Sequence, residues 1–545
     1  MPLGILEDTK LDHVPGTAPL NELELGSEDV GVSGVDPSLL KHDSSGRFVL
    51  VPQPSDSPND PYNWPRWKKE MFTVAFAWGC GCVGAIGPLL GAAFVQLAEL
   101  FNVELTTFVS GLQGGMIASI AVGSVVFNSL AVKYGKRPIY LATTLGLMAS
   151  AFWGAEAKSF PSLVASRALA GLCSCMNVAF EQPFSTWARI QYASSFTNLY
   201  MYVSAGGIIE YGSYKIALHS IGGAFGLMFF LVFFFMPETA FHREGALNID
   251  TGEKAVTMDG KPTLEHVERA GDKETGATAT ASASTASSSR PSSTDKPISY
   301  ARQLLPYSGY VNDVSFWNTL VRPFYLLGSP AVVWATIIFT TDISWLVGIS
   351  VTLSQIFSAP PYNFSIGAVG ATNMSSFVAS VIGTLVAGPL IDGVVTRMSK
   401  RNNGIFEPEF RLPILLTNLL FTATGFFAWG QSAYALDPWP VPVIVCLGLI
   451  NLGVQLATTG VVAYVVDCHR EKAGEAFATM NCLKNLFAFG LTFYMNGWLA
   501  SQGVRKTFFT IGGITVAVTL LTVPMYIYGK RSRSWVHRHN ITNRI

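Results

Sequence analysis

From about Met71 onward the chain alternates long apolar runs with short polar ones. The runs lie at about 71–95, 106–132, 138–157, 160–183, 195–213 and 216–236. After a polar gap they resume at about 329–357, 366–392, 411–431, 440–466, 475–499 and 507–529. A bilayer core of about 30 Å is crossed by about 20 residues of helix. In lipid, only a helix or a closed barrel satisfies its own backbone polar groups. The pattern therefore predicts six crossing helices, a break and six more, an all-α polytopic membrane protein of about twelve helices. The fifth run is the weakest, because Glu210, Lys215 and His219 break the apolar pattern in and beside it.

The polar segments divide the chain. Residues 1–65 have no periodic pattern and carry far more Asp and Glu than Lys and Arg, which predicts a disordered tail. They lack a basic stretch followed by an apolar one, so the first helix is expected to act as its own insertion signal. Residues 66–237 are the expected first six-helix bundle and 326–531 the second. Between them, 238–325 contains ETGATATASASTASSSRPSSTDKP, a low-complexity stretch expected to be a disordered loop. Residues 532–545 form a terminal tail.

Composition agrees with a lipid setting: 49% of residues are hydrophobic and 13% charged, against about 25% charged in soluble domains. The formal net charge is zero, so nothing invites nucleic acid. Short loops on one side collect sixteen Lys and Arg, among them Lys68, Lys69, Lys133, Arg401, Arg470 and Lys530, against four on the other (Lys158, Lys215, Arg505 and Lys506). That bias predicts that both termini and the Ser/Thr-rich loop are cytoplasmic. The plasma membrane is the expected location, with the vacuolar membrane as the alternative.

Seven cysteines are present, but the pairs Cys80/Cys82 and Cys173/Cys175 point to nearly opposite sides of a helix and cannot chelate one ion. No phosphate-binding glycine loop, His/Glu metal spacing or nucleophile elbow occurs. The expectation is a chain without metal or cofactor that is not an enzyme and draws on a proton gradient rather than ATP.

A charge at the bilayer centre needs a partner or a function. Asp342, in the run ATIIFTTDISWLVGIS, is the sharpest case: a proton or cation site, or a carboxylate paired with a basic or hydroxyl neighbour. Arg167, Lys484 and Glu210 are further candidates for proton coupling or the transport path, although Arg167 could instead snorkel to the headgroups. Gln113, Asn177, Gln355, Asn451, Gln455 and Asn481 are uncharged polar residues inside apolar runs, able to line a cavity or to bond between helices. Asp467 and Glu181 sit at helix ends, where pairing with loop cations is expected.

The halves also echo one another. NSLAVKYGKRPIYL (128–141) follows the second run and GPLIDGVVTR (388–397) the eighth. Both are expected to be tight, charged gating loops, built on Gly135, Lys136 and Arg137 and on Gly388, Asp392 and Arg397. Internal symmetry of this kind points to two bundles facing each other across a midplane site.

These residues resemble the major facilitator superfamily. Gly388, Leu390 and Asp392 match the first half of its loop signature, and Gly135, Lys136 and Arg137 match the second half in the other copy. Val132 stands where the first copy should have its acid. Arg167 and Gly171 have the spacing of the family's proton-coupling motif. DPYNWPRWKK, RNNGIFEPEFRLP, AYVVDCHREKAGEA and MYIYGKR are similar to the fungal drug:proton antiporter-like group of twelve-spanners, which includes polyamine and cation permeases. Gly206-Gly207 lacks the proline of that group's efflux members. The resemblance implies two six-helix bundles and a monomeric, proton-coupled carrier of small organic solutes or cations that works by alternating access. The rivals are a passive facilitator and a non-transporting sensor on the same scaffold.

Overall fold

The computed structural model describes residues 2–8, 10–11, 14–19, 55, 57–174, 207–210, 212–239, 247–248, 253–258, 261–266, 299–307, 309, 315–469 and 472–539. Helix dominates them, as a chain that must satisfy its backbone within lipid requires. In the first half, α1 spans Arg66–Ile86, α2 Gly115–Tyr134, α3 Lys136–Ala155 and α4 Phe160–Cys173, while α5 (Tyr214–Phe235) is the sixth crossing run. A surface helix, α6 (Phe316–Tyr325), precedes the second half. There α7 is Pro330–Phe357, α8 Asn373–Arg401, α9 Pro408–Ala435 and α10 Val441–Cys468. One continuous run, Ala473–Leu520, is divided at Gly503 (φ +76°) into α11 (473–502) and α12 (504–520), and α12 continues as Thr522–Arg538. A residue without Cβ suits that left-handed corner. Most of the expected fifth run, and Asn177, lie outside the described residues.

Each half has its own packed interior. Phe76, Phe94, Phe108 and Phe225 belong to the cluster of the first half. Trp334, Phe410 and Tyr464 belong to one cluster of the second half, and Trp345, Trp429 and Phe508 to another. Trp78 is in packing as well, its indole N–H donating to Ala224 O at 3.2 Å. With no hydrophobic gain from leaving lipid, such helices associate through close packing, which small residues permit. Gly171 of α4 is the extreme case: an added Cβ would lie 2.1 Å from Met116 O of α2. The halves meet where α2 runs beside α11, with Ala121 and Val125 packed against Cys482.

Three expectations need correction. Residues 388–397 are not a loop: α8 continues through Pro389 to Arg401, and the chain turns at Asn403 (φ +55°) and Gly404 (φ +79°). The proline is tolerated inside α8, and the neighbouring Gly388 is open, with nothing within 4 Å of where a Cβ would stand. The first residues are not an unstructured tail, because Ile5 is buried in a cluster of the second half and Val14 is buried as well. Strand β1 (Ala18–Pro19) pairs antiparallel with a strand at Ile405–Phe406. The loop at 238–325 also carries structure: α6, a turn of helix at Tyr300–Gln303, and a three-stranded sheet of β2 (Leu247–Asn248), β3 (Glu253–Met258) and β4 (Lys261–His266), with Ile405–Phe406 becoming β5. Met258 faces Lys261 across two connecting residues, Asp259-Gly260, a pair that favours two-residue hairpins.

A Gly171→Ala chain should lose about 1–3 kcal/mol of stability through overpacking. Gly490→Ala, with nothing within 4 Å of the new Cβ, should unfold within a degree or two of the parent. Thermal unfolding of the purified proteins in detergent checks the pair.

Candidate transport path and gates

Asp342 is 1% exposed on α7. Its partner comes from α9, where Asn418 begins a π-helical turn, Asn418–Ala423. Such single turns re-aim side chains and recur at functional sites. The Asn418 Nδ2 donates to both Asp342 carboxylate oxygens at 3.1 Å, and to Thr519 Oγ1 of α12 at 3.1 Å. The Asn418 Oδ1 is buried with no partner among the described residues. No ion pair to Asp342 occurs among them either. The carboxyl is thus held between α7, α9 and α12 by a neutral amide. Sequence reading found Asp342 but not Asn418, whose polar amide at the start of the ninth run was its only signal.

Arg167 is 2% exposed, so its guanidinium does not snorkel. Its Nη2 donates to Gly87 O, at the end of α1, at 2.9 Å, whereas Nε and Nη1 are buried without partners among the described residues. The side chain lies one turn from the tight α2/α4 crossing at Gly171. Lys484 of α11 donates to Asn481 Oδ1 at 3.0 Å and stands 5.7 Å from the Phe339 ring of α7. A cation on an aromatic face retains part of the stabilisation it loses on leaving water. Asn481 also bonds its own helix at Phe477 O.

The other polar candidates separate by role. Asn451 of α10 donates to Ser376 Oγ of α8 at 2.9 Å, and Gln455 packs over Gly383 of α8, so both hold α8 to α10. Gln113 is buried on a second π-helical turn, Ser110–Gly114, with its Oε1 unpartnered; Gln355 Oε1 is likewise buried and unpartnered among the described residues. An apolar groove of about 440 Å³ lies beside that turn, lined by Thr107, Gly111, Phe160, Val164 and Phe493. None of the polar candidates lines it.

Charged contacts lie at both ends. On the face opposite the termini, Glu210 is exposed rather than buried in a path; it accepts from Ser365 Oγ at 3.0 Å and Gly367 N at 2.5 Å, joining the halves. On the face carrying the termini, Gly135 (φ +92°) turns the chain from α2 into α3. The Lys136 and Arg137 N–H groups each donate to the Glu238 carboxylate at 3.0 Å. The Arg137 guanidinium donates to Phe233 O at 2.9 Å, Leu304 O at 2.9 Å and Leu305 O at 3.0 Å, and to Met236 O. The acid missing at Val132 is therefore supplied from beyond α5, by Glu238. The second copy is not a mirror of this: Asp392 and Arg397 are exposed on α8 and make no ion pair among the described residues. Instead α6 straddles the halves, with Leu320 on the Ala121/Val125/Cys482 contact, Arg322 paired to Glu475 at 3.2 Å and Pro323 O accepting from Thr479 at 2.6 Å. Asp467 pairs with Arg411.

Glu238→Ala leaves two helix-terminal N–H groups without their acceptor. Hydrogen exchange at the amides of Lys136 and Arg137 should quicken at least ten-fold, while Asp392→Ala leaves its own surroundings unchanged. Exchange followed by mass spectrometry on the full chain checks both.

The family model for the Major Facilitator Superfamily matches residues 71–490. An uncharacterised MFS-type transporter of Schizosaccharomyces pombe is 26% identical, covering 93% of this chain and 92% of its own. Protein HOL1 of Saccharomyces cerevisiae is 26% identical over 97% of this chain and 96% of its own. Among solved structures, the proton:xylose symporter XylE superposes with a TM-score of 0.57 at 13% identity, over 85% of this chain and 97% of that one. The two packed halves, the α2/α3 turn and this match together establish the chain as a member of the major facilitator superfamily, a multi-pass membrane transporter of solutes.

Proposed function

We propose that this transporter couples the movement of a small organic solute or cation to a proton carried by Asp342. One observation carries the reading: a fully buried carboxyl faces a single neutral amide that can serve either of its forms. The Asn418 NH2 donates to an ionised carboxylate. After a half-turn of the amide, the free Oδ1 accepts from a protonated one. A charge left at such a depth costs at least about 2.5 kcal/mol, so gain or loss of the proton biases which arrangement of α7, α9 and α12 is occupied. The two halves then rock about the α2/α11 contact, with Glu210 joining them on the face opposite the termini.

Arg167 and Lys484 are the basic side chains that the helices offer to an acidic group of a solute. The excess of Lys and Arg in the loops near the termini favours cytoplasmic termini. The plasma membrane and a monomer are the simplest setting for this reading.

The test is solute movement in a transporter-deficient fungal host, with polyamines and hydrophobic drugs offered, with and without a proton uncoupler. Gradient-driven accumulation or exclusion is expected, and Asp342→Asn should abolish it at least ten-fold at equal surface expression. Unchanged uphill movement in Asp342→Asn would remove the carboxyl from the mechanism. One observation favours the facilitator instead: the donor to Asp342, Asn418, lies on α9, and the Thr519 hydroxyl that accepts from the same amide lies on α12, so neither comes from the first half. Movement that survives the uncoupler would select that reading.

A further inference from the structure

The first residues of the chain occupy a groove that no step of the proposed cycle uses. Ile5 is fully buried in the cluster that holds Leu326, Phe406, Phe410 and Met525. The Leu6 N–H donates to Ile527 O at 3.0 Å, and the Tyr526 hydroxyl to Leu3 O at 2.8 Å. Farther along, Lys530 bridges Glu7 at 2.8 Å and Glu407 at 2.7 Å, Arg531 Nε donates to Glu7 O at 3.1 Å, and Ser534 Oγ donates to Asp8 at 2.5 Å. The Pro15 carbonyl accepts from Arg533, and Thr17 Oγ1 donates to Glu407 at 2.8 Å. The β1/β5 pair ends the arm.

Beneath it lies a buried ion cluster. Glu407 and Glu409 are both 0% exposed and Arg533 is 4% exposed. Arg533 donates to Glu407 at 2.9 Å and Glu409 at 2.8 Å. Charges in such surroundings stay favourable only while every partner is present, and removing one leaves the others uncompensated. Thr17, Pro15 and Lys530, which Glu7 holds, complete that set, so the arm is part of the cluster rather than a cover over it. The fit is specific: Gly16 has φ +89°, and a Cβ there would lie 2.9 Å from Asp467 O and 3.3 Å from Arg533 Nη1.

Residues 20–54 separate the arm from Ser55, and at up to about 3.3 Å per residue a chain of that length is long enough for the arm to undock without moving α1. All the groove's parts, the start of α7, the 405–409 turn, the end of α10 and the far half of α12, belong to the second half. The arm is made first and its groove last, so docking follows completion of both halves.

We propose that residues 2–19 are a detachable clasp, an acidic peptide bound in cis by a groove of the second half, which fastens the terminal ends of α7, α10 and α12 into one unit. With the clasp in place that end moves as a rigid body; released, its turn and its last helix loosen and a groove for an acidic extended peptide is exposed.

Hydrogen exchange by mass spectrometry on the full chain in nanodiscs tests this, with the free synthetic 2–19 peptide as the reference. In the parent protein, amides of 2–19 are expected to exchange at least ten-fold more slowly than in the free peptide. Gly16→Val, and independently Thr17→Glu, which sets a charge against Glu407, should erase that protection. They should also speed exchange in 405–411 and 526–534 and leave α1–α4 unchanged. Excess 2–19 peptide added to Gly16→Val should restore protection in 405–411 and 526–534. An arm that exchanges in the parent as fast as the free peptide overturns the proposal, as does an arm released with no response from its groove. Protection that falls on dilution would place the arm on a second copy and overturn docking in cis.

Discussion

Lipid offers no hydrogen bonds, and that absence governs this protein from its backbone to its candidate site. Every crossing segment has to be a helix, because only a helix meets its own N–H and C=O groups. Every polar side chain within has to find a partner or remain costly. The partners found here are few and specific: Asn418 for Asp342, Gly87 O for Arg167, and Asn481 with the Phe339 ring for Lys484. Each joins two elements or two residues of one face, so the polar groups that could do chemistry are also the ones that set how helices are held.

The same constraint explains how the ends differ from the middle. In the middle, contact is by shape, with Gly171, Gly383 and Gly453 bringing backbones or side chains of adjacent helices close. At the faces, contact is by charge: Glu210 with the Ser365–Gly367 turn, Glu238 with the α2/α3 turn, and, buried beneath the first residues, Arg533 with Glu407 and Glu409. Shape contacts are hard to exchange. Of these charged contacts, the exposed Glu210 contact is the one that joins the halves.

The crossing helices were legible because a run of apolar residues has one physical use at that length. What escaped notice depended on partners far apart in the chain. Val132 reads as a lost acid only until Glu238, more than a hundred residues later, is seen to bond the same turn. GPLIDGVVTR looked like a turn by its glycines, yet α8 runs on through Pro389 and passes the turn to Asn403-Gly404. The arm at 2–19 has no periodicity, since its register is imposed by a groove made of Ile405–Glu409 and α12. Asp342 stood out as a lone charge, but whether it faced a cation or an amide could not be read without α9 beside it.

A proton at Asp342 is central to transport as proposed, and infrared difference spectroscopy of the purified protein, taken between acid and alkaline pH, observes it without knowledge of the solute. A proton at Asp342 gives one component of the parent's protonated-carboxyl band that is missing from Asp342→Asn and shifted in Asn418→Ala, while the components of the other carboxyls remain in all three. Identical difference spectra in the parent and Asp342→Asn would contradict it.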